Sequence, residues 1–246
     1  VNTIKELNQL DVSEVDLGEA DLSGATLQRV KFHRVTARGL HAAASEWIDV
    51  QLEHTHLVGA DLRASRWHGA RIALTDLSEA DLGAARLDAT SLTAVVLNGV
   101  RLHGALIEEG TVIRPSEMPF LEARGADLRN LRASRVRFER LFLLGATLDG
   151  AELREADLSK CTMREASLLG ADLTSAKLVQ ADLTRIDARG ATFAGADLRG
   201  AGLHGADLRL AVPTGADGGA AHLREARMAG ADVAASFVDL AQRDVG

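Results

Sequence analysis

The chain has few aromatic side chains and almost no cysteine. Only 3% of its 246 residues are aromatic, and there is no tyrosine. A compact globular core normally uses aromatic side chains to fill irregular volume, so a core with so few of them is expected to be thin and regular. Cys161 is the only cysteine, which excludes an intrachain disulfide and favours a reducing compartment. We interpret it as a buried small side chain rather than a reactive thiol.

Long apolar runs and an excess of positive charge are also missing. No apolar run approaches the roughly 20 residues that a membrane span needs, and the first residues lack a signal-peptide pattern. We therefore expect a cytoplasmic protein without membrane contact. The net charge of −7 argues against direct binding of nucleic acid. Residues 1–112 hold 16 acidic and 10 basic side chains, whereas residues 113–246 hold 19 and 18.

A period of five residues dominates the chain. Alanine followed two residues later by leucine recurs at Ala166, Ala171, Ala176 and Ala181. An α-helix has a period of about 3.6 residues and a strand a period of 2, so neither explains this spacing. The pattern predicts a chain that turns a corner every five residues. The large apolar residue and the residue two before it point inward, and the other three face solvent.

Four such copies make one square turn, and this arithmetic places specific side chains. The inward positions run without insertion from residue 12 to residue 112, and again from 128 to 233, which predicts about eleven coils. Trp47 and Trp67 lie four copies apart and are expected to stack in adjacent turns. Pro213 and Gly218 fall on inward positions, so residues 212–219 are expected to form a weak, locally bulged turn.

The interruption of the period sets the expected domain organisation. Residues between the two runs carry Pro115 and Pro119 and no repeat signal, which predicts a loop ejected from the stack. Near the end, apolar residues recur every three to four positions, as in a short amphipathic helix. The predicted segments are an N-terminal cap (1–11), a first β-helix half (12–112), the ejected loop (113–125), a second half (126–233) and a C-terminal cap or dimerisation helix (234–246).

The tripeptide Ala-Asp-Leu returns with its leucine at residues 22, 62, 82, 128, 158, 173, 183, 198 and 208. This run of copies resembles the pentapeptide repeat family. The resemblance implies an all-β fold, a right-handed quadrilateral β-helix with four copies per coil. It also implies a class of function, because the quinolone-resistance (Qnr) members of the family are dimeric DNA mimics. Those members bind DNA gyrase or topoisomerase IV and protect it from inhibitors.

Three aspartates carry the first candidate site. Asp21, Asp61 and Asp81 are separated by whole turns and are expected to form an acidic column on one face, with His41 between them. Such a column resembles a DNA backbone in shape and sign. It is equally consistent with a solvated face whose aspartates bond the local backbone. Catalysis by these residues is not expected, and His54 and His56 are not expected to hold a metal, because they lie on adjacent sides of a corner.

Three further groups complete the candidate residues. The partner-binding loop consists of Arg114, Glu117, Met118, Phe120, Leu121 and Glu122. The basic belt consists of Arg129, Arg132, Arg135, Arg137 and Arg140, and is either a solvated face with local ion pairs or a surface for an acidic partner. Dimerisation is expected through Phe237, Leu240 and Ala241.

These observations favour a non-enzymatic protein that binds type II topoisomerase and confers antibiotic resistance or self-immunity. The alternative is an interaction scaffold with a different protein partner. No cofactor is expected. An enzyme is the third and weakest possibility, because the sequence offers no nucleophile, base and orienting group together.

Overall fold

The computed structural model describes residues 5–108, 111–114, 121–138 and 140–231. The chain divides into two compact units, Val1–Asp127 and Leu128–Gly246. Regular structure in the described ranges consists of strands, single β-bridges and turns. A search of those ranges for a helix that could span a membrane finds none.

The named strands are short, because a strand can extend only from one corner to the next. They are β1 (Glu6–Asn8), β2 (Asp11–Ser13), β3 (Thr26–Gln28), β4 (Lys31–His33), β5 (Glu46–Ile48), β6 (Gln51–Glu53), β7 (Arg66–His68), β8 (Arg71–Ala73), β9 (Arg86–Asp88), β10 (Ser91–Thr93), β11 (Leu106–Ile107), β12 (Val112–Arg114), β13 (Leu121–Glu122) and β14 (Leu141–Phe142).

The first unit is a parallel β-solenoid with four faces. Strands β1, β3, β5, β7, β9 and β11 stack into one six-stranded sheet, the first face, and β2, β4, β6, β8, β10 and β12 into another, the second face. Leu7 pairs with Leu27, and Leu27 with Trp47, so each coil adds four copies of the repeat. Parallel pairing at this interval is what the five-residue period predicts.

Single bridges build the other two faces of the first unit. The third face is the ladder of Asp16, Thr36, His56, Asp76 and Val96. The fourth face is the ladder of Asp21, His41, Asp61, Asp81, Arg101 and Asp127. Both ladders keep the step of four copies up to Arg101, so each coil contributes one bridged residue to each ladder.

The second unit repeats this architecture, with four bridge ladders in place of long sheets. Its ladders begin at Arg132, Arg137, Phe142 and Thr147, and each continues in steps of four copies. The described strands and bridges give about five turns in each unit, slightly fewer than the eleven coils predicted for the chain. The predicted all-β solenoid is confirmed.

The inward positions form the core, as the pattern predicts. Leu27 and Ala25 are both fully buried, and this pair recurs along the chain. Trp47 and Trp67 stack with their ring centroids 4.3 Å apart and their planes 12° from parallel, so the predicted stacking is confirmed. Two small residues share the coil of Phe32 and Trp47 at inward positions, which keeps the volume of the layer close to constant.

The corners require a left-handed backbone at the residue two after each inward leucine. Gly24 and Gly59 have φ of 68° and 69° there, as expected from their positions. Non-glycine residues adopt the same conformation at many corners, including Leu74 at 50° and Leu210 at 60°. Stacking therefore imposes the corner geometry even where the residue itself disfavours it.

The bulge predicted at 212–219 is not found. The amide of Ala216 donates to the carbonyl of Pro213 at 2.8 Å, as at the other corners of this unit. Val212 and Asp217 also continue the ladders of Thr192 and Asp197 in register. An inward proline keeps the corner bond, because the residue three positions later donates it. The nitrogen of Pro213 cannot donate to the next coil as those of Leu203 and Leu208 do.

The break in register lies earlier than the sequence indicates. Leu92 pairs with Ile113, and Ser91 pairs with Val112, so Val112 does not occupy the inward position assigned to it. Thr111 is 2% exposed and takes the inward position two before Ile113. The chain therefore takes one residue more than the repeat between Ile107 and Ile113, and the extra residue lies before the strand.

Two predicted segment boundaries differ from those in the structure. Strand β1 begins at Glu6 and pairs with β3, inside the range predicted as a cap. The predicted loop 113–125 is too long, because Ile113 and Arg114 belong to β12, and Leu121 and Glu122 to β13. Ala123 is buried, and Arg124 accepts a backbone bond from Gly99. Residues 115–120 and the predicted helix 234–246 lie outside the described residues.

Candidate interaction surface

The structure brings the predicted acidic column together in one ladder. Asp21 bridges His41, His41 bridges Asp61, and Asp61 bridges Asp81 on the fourth face. Neighbouring strands of a sheet lie about 4.8 Å apart, so this ladder presents a side chain at that interval. The position of the column is thus defined, and its role in binding stays a prediction.

Each aspartate of the column also stabilises its own corner. Asp21 accepts the backbone N–H of Ser23 at 3.0 Å, and Asp81 accepts that of Gly83 at 2.9 Å. The bond from Ser23 is the main cause that holds the pKa of Asp21 below its usual value. The predicted bonding to local backbone is confirmed, so these positions favour aspartate for structural reasons whatever they bind.

Arginines offset part of the charge of the column. Arg63 Nε and Nη2 donate to Asp61 at 2.8 and 2.7 Å, and this fork is the main cause that lowers the pKa of Asp61. Arg101 Nε lies 3.2 Å from Asp81 Oδ2. Sequence reasoning missed both arginines. The signal for Arg63 was present, because residues two apart on an extended chain share a face.

The third face adds carboxylates that sequence reasoning also missed. Residues 16–21 read Asp-Leu-Gly-Glu-Ala-Asp, and residues 76–81 read Asp-Leu-Ser-Glu-Ala-Asp. Both hexapeptides cross the corner between the third and fourth faces, three coils apart. We call the acidic residues of these hexapeptides, with Asp61, the acidic strip: Asp16, Glu19, Asp21, Asp61, Asp76, Glu79 and Asp81. The return of this hexapeptide after three whole coils, with one residue changed, was the available signal.

The stems of the two glutamates of the acidic strip lie beside glycines of the next coil. A Cβ on Gly39 would lie 3.7 Å from Glu19 Cγ, and a Cβ on Gly99 would lie 3.6 Å from Glu79 Cγ. Each glutamate stem therefore lies along a corner that has no side chain of its own. The two glutamates thus occupy equivalent positions three coils apart.

Charge is distributed unequally between the units and between faces. Residues 1–127 hold 19 acidic and 12 basic side chains, and residues 128–246 hold 16 of each, so the whole net charge of −7 belongs to the first unit. Within residues 5–104 the first and second faces hold seven acidic and seven basic residues. The third and fourth faces hold seven acidic residues and three arginines. The acidic strip therefore lies where negative charge is least compensated.

The basic belt is spread over separate ladders of the second unit and is largely paired. Arg132 Nε lies 3.5 Å from Glu152, and Arg135 Nε lies 3.1 Å from Glu155. Arg137 begins a different ladder and bridges Asp157 of the next coil. Arg129 and Arg140 also have partners. This arrangement agrees with a solvated face that carries local ion pairs.

Several predicted site residues cannot be placed in the surface. Arg114, Leu121 and Glu122 belong by their backbone to strands rather than to a loop. The remaining loop and dimerisation residues lie outside the described residues: Glu117, Met118, Phe120, Phe237, Leu240 and Ala241. Their roles in binding and dimerisation stay predictions.

The histidines of the first unit lie beside acidic residues rather than in a metal site. In the described part of the chain no three His, Cys, Asp or Glu side chains are grouped so as to hold a metal ion. His54 lies at a corner with φ of 51°, and its ring meets that of His33 edge-on at 5.9 Å. His56 lies on the third face beside Asp76. The two histidines thus lie on adjacent sides of a corner, as predicted.

Fold and repeat together define a class of protein, the parallel β-solenoids built from five-residue repeats. The model of a family described as pentapeptide repeats matches eight copies, over residues 6–39, 75–108, 143–178, 151–187 and 176–212. These ranges cover more than half of the chain. The chain therefore belongs to the pentapeptide repeat family, whose members are generally structural or interaction proteins rather than enzymes.

Solved structures of the same family resemble the chain, whereas a search of curated proteins finds no match. HetL of Nostoc sp. strain PCC 7120, involved in heterocyst differentiation regulation, is 27% identical over 94% of this chain and 90% of its own, with a TM-score of 0.33. Rfr23 of Cyanothece 51142 is 27% identical over 45% of this chain and 85% of its own, with a TM-score of 0.38. QnrB1, a plasmid-mediated fluoroquinolone resistance protein, is 17% identical over 94% of this chain and 91% of its own, with a TM-score of 0.31. At these TM-scores the likenesses carry no argument about function.

Proposed function

We propose that this protein is a non-enzymatic DNA mimic that binds a type II topoisomerase, DNA gyrase or topoisomerase IV, and protects it from inhibitors. The observation that carries the proposal is the acidic strip on the third and fourth faces of the first unit. Its carboxylates follow ladders with the regular spacing of a parallel sheet, and the other two faces of the same coils carry no net charge between residues 5 and 104.

The physical basis is competition for a cationic surface. A protein that holds duplex DNA presents lysine and arginine to rows of phosphates, and much of its affinity comes from neutralising them. Rows of carboxylates on a rigid solenoid offer the same cations a protein ligand whose backbone needs no ordering on binding. The partner is therefore a protein with a DNA-binding groove, and no direct contact of this chain with nucleic acid is proposed. We place it in the cytoplasm, where such enzymes act on DNA.

The test is supercoiling by purified gyrase with and without a fluoroquinolone. The variant replaces six strip residues by their amides: Asp16→Asn, Glu19→Gln, Asp21→Asn, Asp76→Asn, Glu79→Gln and Asp81→Asn. Asparagine retains an oxygen that can accept the corner N–H, so the fold is expected to persist. We expect the unaltered protein to inhibit supercoiling or to rescue it from the drug, and the variant to lose at least about tenfold in potency.

A matched control separates the strip from total charge. Six amides on the first and second faces remove the same charge from the same unit: Glu6→Gln, Asp11→Asn, Glu14→Gln, Glu46→Gln, Glu53→Gln and Asp88→Asn. This control should retain most of the effect. Equal loss in both variants would reduce the proposal to unspecific charge. No effect of the folded unaltered protein on supercoiling by gyrase or on decatenation by topoisomerase IV would refute it.

The alternative function is an interaction scaffold with a different protein partner. The observation in its favour is the basic belt, five arginines within residues 129–140 of a unit that carries no net charge. Replacing the five by glutamine should leave gyrase protection intact under the leading proposal. Loss of a partner recovered with the unaltered protein, together with no effect on gyrase, would favour the scaffold.

A further inference from the structure

The histidines of this protein are concentrated where its negative charge is. Six of the eight lie in the first unit, and His204 and His222 are the two in the second. Histidine is the side chain whose charge ordinarily changes between pH 5 and 8. Protonating all six would take the first unit from a net charge of −7 to about −1, whereas the second unit would gain at most two charges.

Three of the six lie on the two faces that carry the acidic strip. His41 occupies the fourth-face ladder between Asp21 and Asp61, and it acts electrostatically on both carboxyls. The other charge facing this group is Arg63, which forks onto Asp61. A proton on His41 therefore places a cation in the middle of the predicted acidic column.

His103 lies on the same fourth face, in the coil that follows Asp81. A Cβ on Gly83 would lie 2.5 Å from His103 Cε1 and 3.0 Å from Asp81 Oδ1, so the ring and the carboxylate share the space that this glycine leaves open. Arg101 pairs with Asp81 from the same coil as His103. A protonated His103 would give Asp81 a second cation.

His56 completes the set on the third face. Its ladder neighbours are Thr36 and Asp76, and Asp76 also accepts the backbone N–H of Ser78 at 2.9 Å. Of the three histidines on the other two faces, two also lie beside acidic partners, and the ring of His54 meets that of His33 instead. His33 Nδ1 lies 3.4 Å from Glu53, and His68 Nδ1 lies 2.7 Å from Asp88. Protonation is thus directed at carboxylates on every face.

We infer that the acidic strip is a pH-sensitive surface, which His41, His56 and His103 convert from an anionic to a nearly neutral one as the pH falls. This inference rests on the proposed function, because it describes the regulation of the same surface. Binding to a cationic partner should weaken on acidification, since three protons offset three of the four uncompensated charges of the third and fourth faces. The ladder geometry matters because each histidine lies within a coil or two of the carboxylates that it offsets.

The test measures binding of the full chain to a deca-lysine peptide and to gyrase, at about pH 8 and about pH 5.5 and constant ionic strength. Deca-lysine is chosen because lysine keeps its charge throughout this range. We expect binding of deca-lysine to weaken about tenfold at the lower pH. The variant His41→Gln, His56→Gln, His103→Gln should lose most of that pH dependence. The matched control His204→Gln, His222→Gln in the second unit should behave like the unaltered protein.

The two readouts distinguish the inference from the function on which it rests. A triple variant with the same pH dependence as the unaltered protein overturns the inference. Absence of gyrase binding at either pH, with a histidine-dependent response to deca-lysine, refutes the topoisomerase partner but supports the pH-sensitive surface. Circular dichroism at both pH values verifies that every variant remains folded.

Discussion

At the scale of the residue, the two tryptophans show how one small polar side chain adapts a repeat to a large core residue. Trp47 Nε1 donates to Ser45 Oγ at 2.6 Å, and Trp67 Nε1 donates to Ser65 Oγ at 2.8 Å. Both serines are fully buried at the inward position two before the tryptophan. Ser65 in turn donates its own hydroxyl proton to the carbonyl of Leu62. The indole N–H is thus satisfied inside an otherwise apolar column.

Replacing Ser45 by alanine should therefore destabilise the protein. It leaves the buried N–H of Trp47 without an acceptor, which costs about 1–3 kcal/mol. Urea unfolding followed by tryptophan fluorescence measures this loss.

The control is Ser78→Ala, which keeps the backbone N–H that bonds Asp76. It should shift stability by less than about 0.5 kcal/mol. Equal stability of the Ser45 and Ser78 variants would show that the Trp47 N–H finds another acceptor.

At the scale of the element, arginine forks recur every half coil in the second unit. Arg189 Nε and Nη2 donate to Asp187, Arg199 to Asp197, and Arg209 to Asp207, at 2.6 to 2.8 Å. In each pair the hydrogen bond from arginine is the main cause that lowers the pKa of the aspartate. Each fork is local to one corner, so the forks rigidify corners rather than joining faces.

These forks predict loss of stability in acid. A carboxyl whose pKa is lower in the folded state contributes stability above its unfolded pKa, and loses it as the pH falls through the folded value. Stability should therefore decline as the pH drops below about 4. The triple variant Asp187→Asn, Asp197→Asn, Asp207→Asn should be less stable at neutral pH and should show a shallower decline in acid. Thermal unfolding between pH 7 and pH 3 measures both, and an unchanged slope would contradict the assignment.

The loop can now be tested without damaging the strands beside it. Deleting 113–122 would remove the paired residues Ile113 and Arg114, so the appropriate deletion is 115–120. We expect this deletion to leave the circular dichroism spectrum and the melting temperature nearly unchanged, because the segment is predicted to be a loop and folding free energy depends only slowly on loop length. Protection of gyrase should be lost. A fully protective, folded deletion variant would exclude the loop from the interface.

At the scale of the whole molecule, the net negative charge and the predicted dimerisation residues belong to different units. The net charge of −7 lies in the first unit, while the predicted dimerisation residues lie at the far end of the sequence. The proposed function requires that a dimer formed there leave the acidic strip of both copies accessible.

Truncation after residue 233 tests this association. We expect the full chain to be a dimer by light scattering and the truncated chain to be a monomer with an unchanged strand spectrum. Phe237→Ala with Leu240→Ala should have the same effect, since loss of two apolar anchors commonly costs several kcal/mol of interface energy. A full chain that is monomeric at all concentrations would contradict the predicted dimer.

The sequence by itself determined the fold, because a five-residue period allows few other arrangements and each inward leucine repeats the same information. It determined the stacking of Trp47 on Trp67 and the alignment of Asp21, Asp61 and Asp81 for the same reason. Local bonding at the corners was also predictable, since an aspartate bonds its own turn in any coil.

Only the tertiary structure decided what depends on neighbouring coils. The shift that makes Ile113 rather than Val112 pair with Leu92 is invisible in the sequence, because two adjacent apolar residues fit the inward position equally well. The pairing of Arg101 with Asp81, and the space over Gly83 that His103 fills, join residues a whole coil apart in the chain. Such contacts depend on which residues of neighbouring coils are aligned. That alignment decides which charges offset one another.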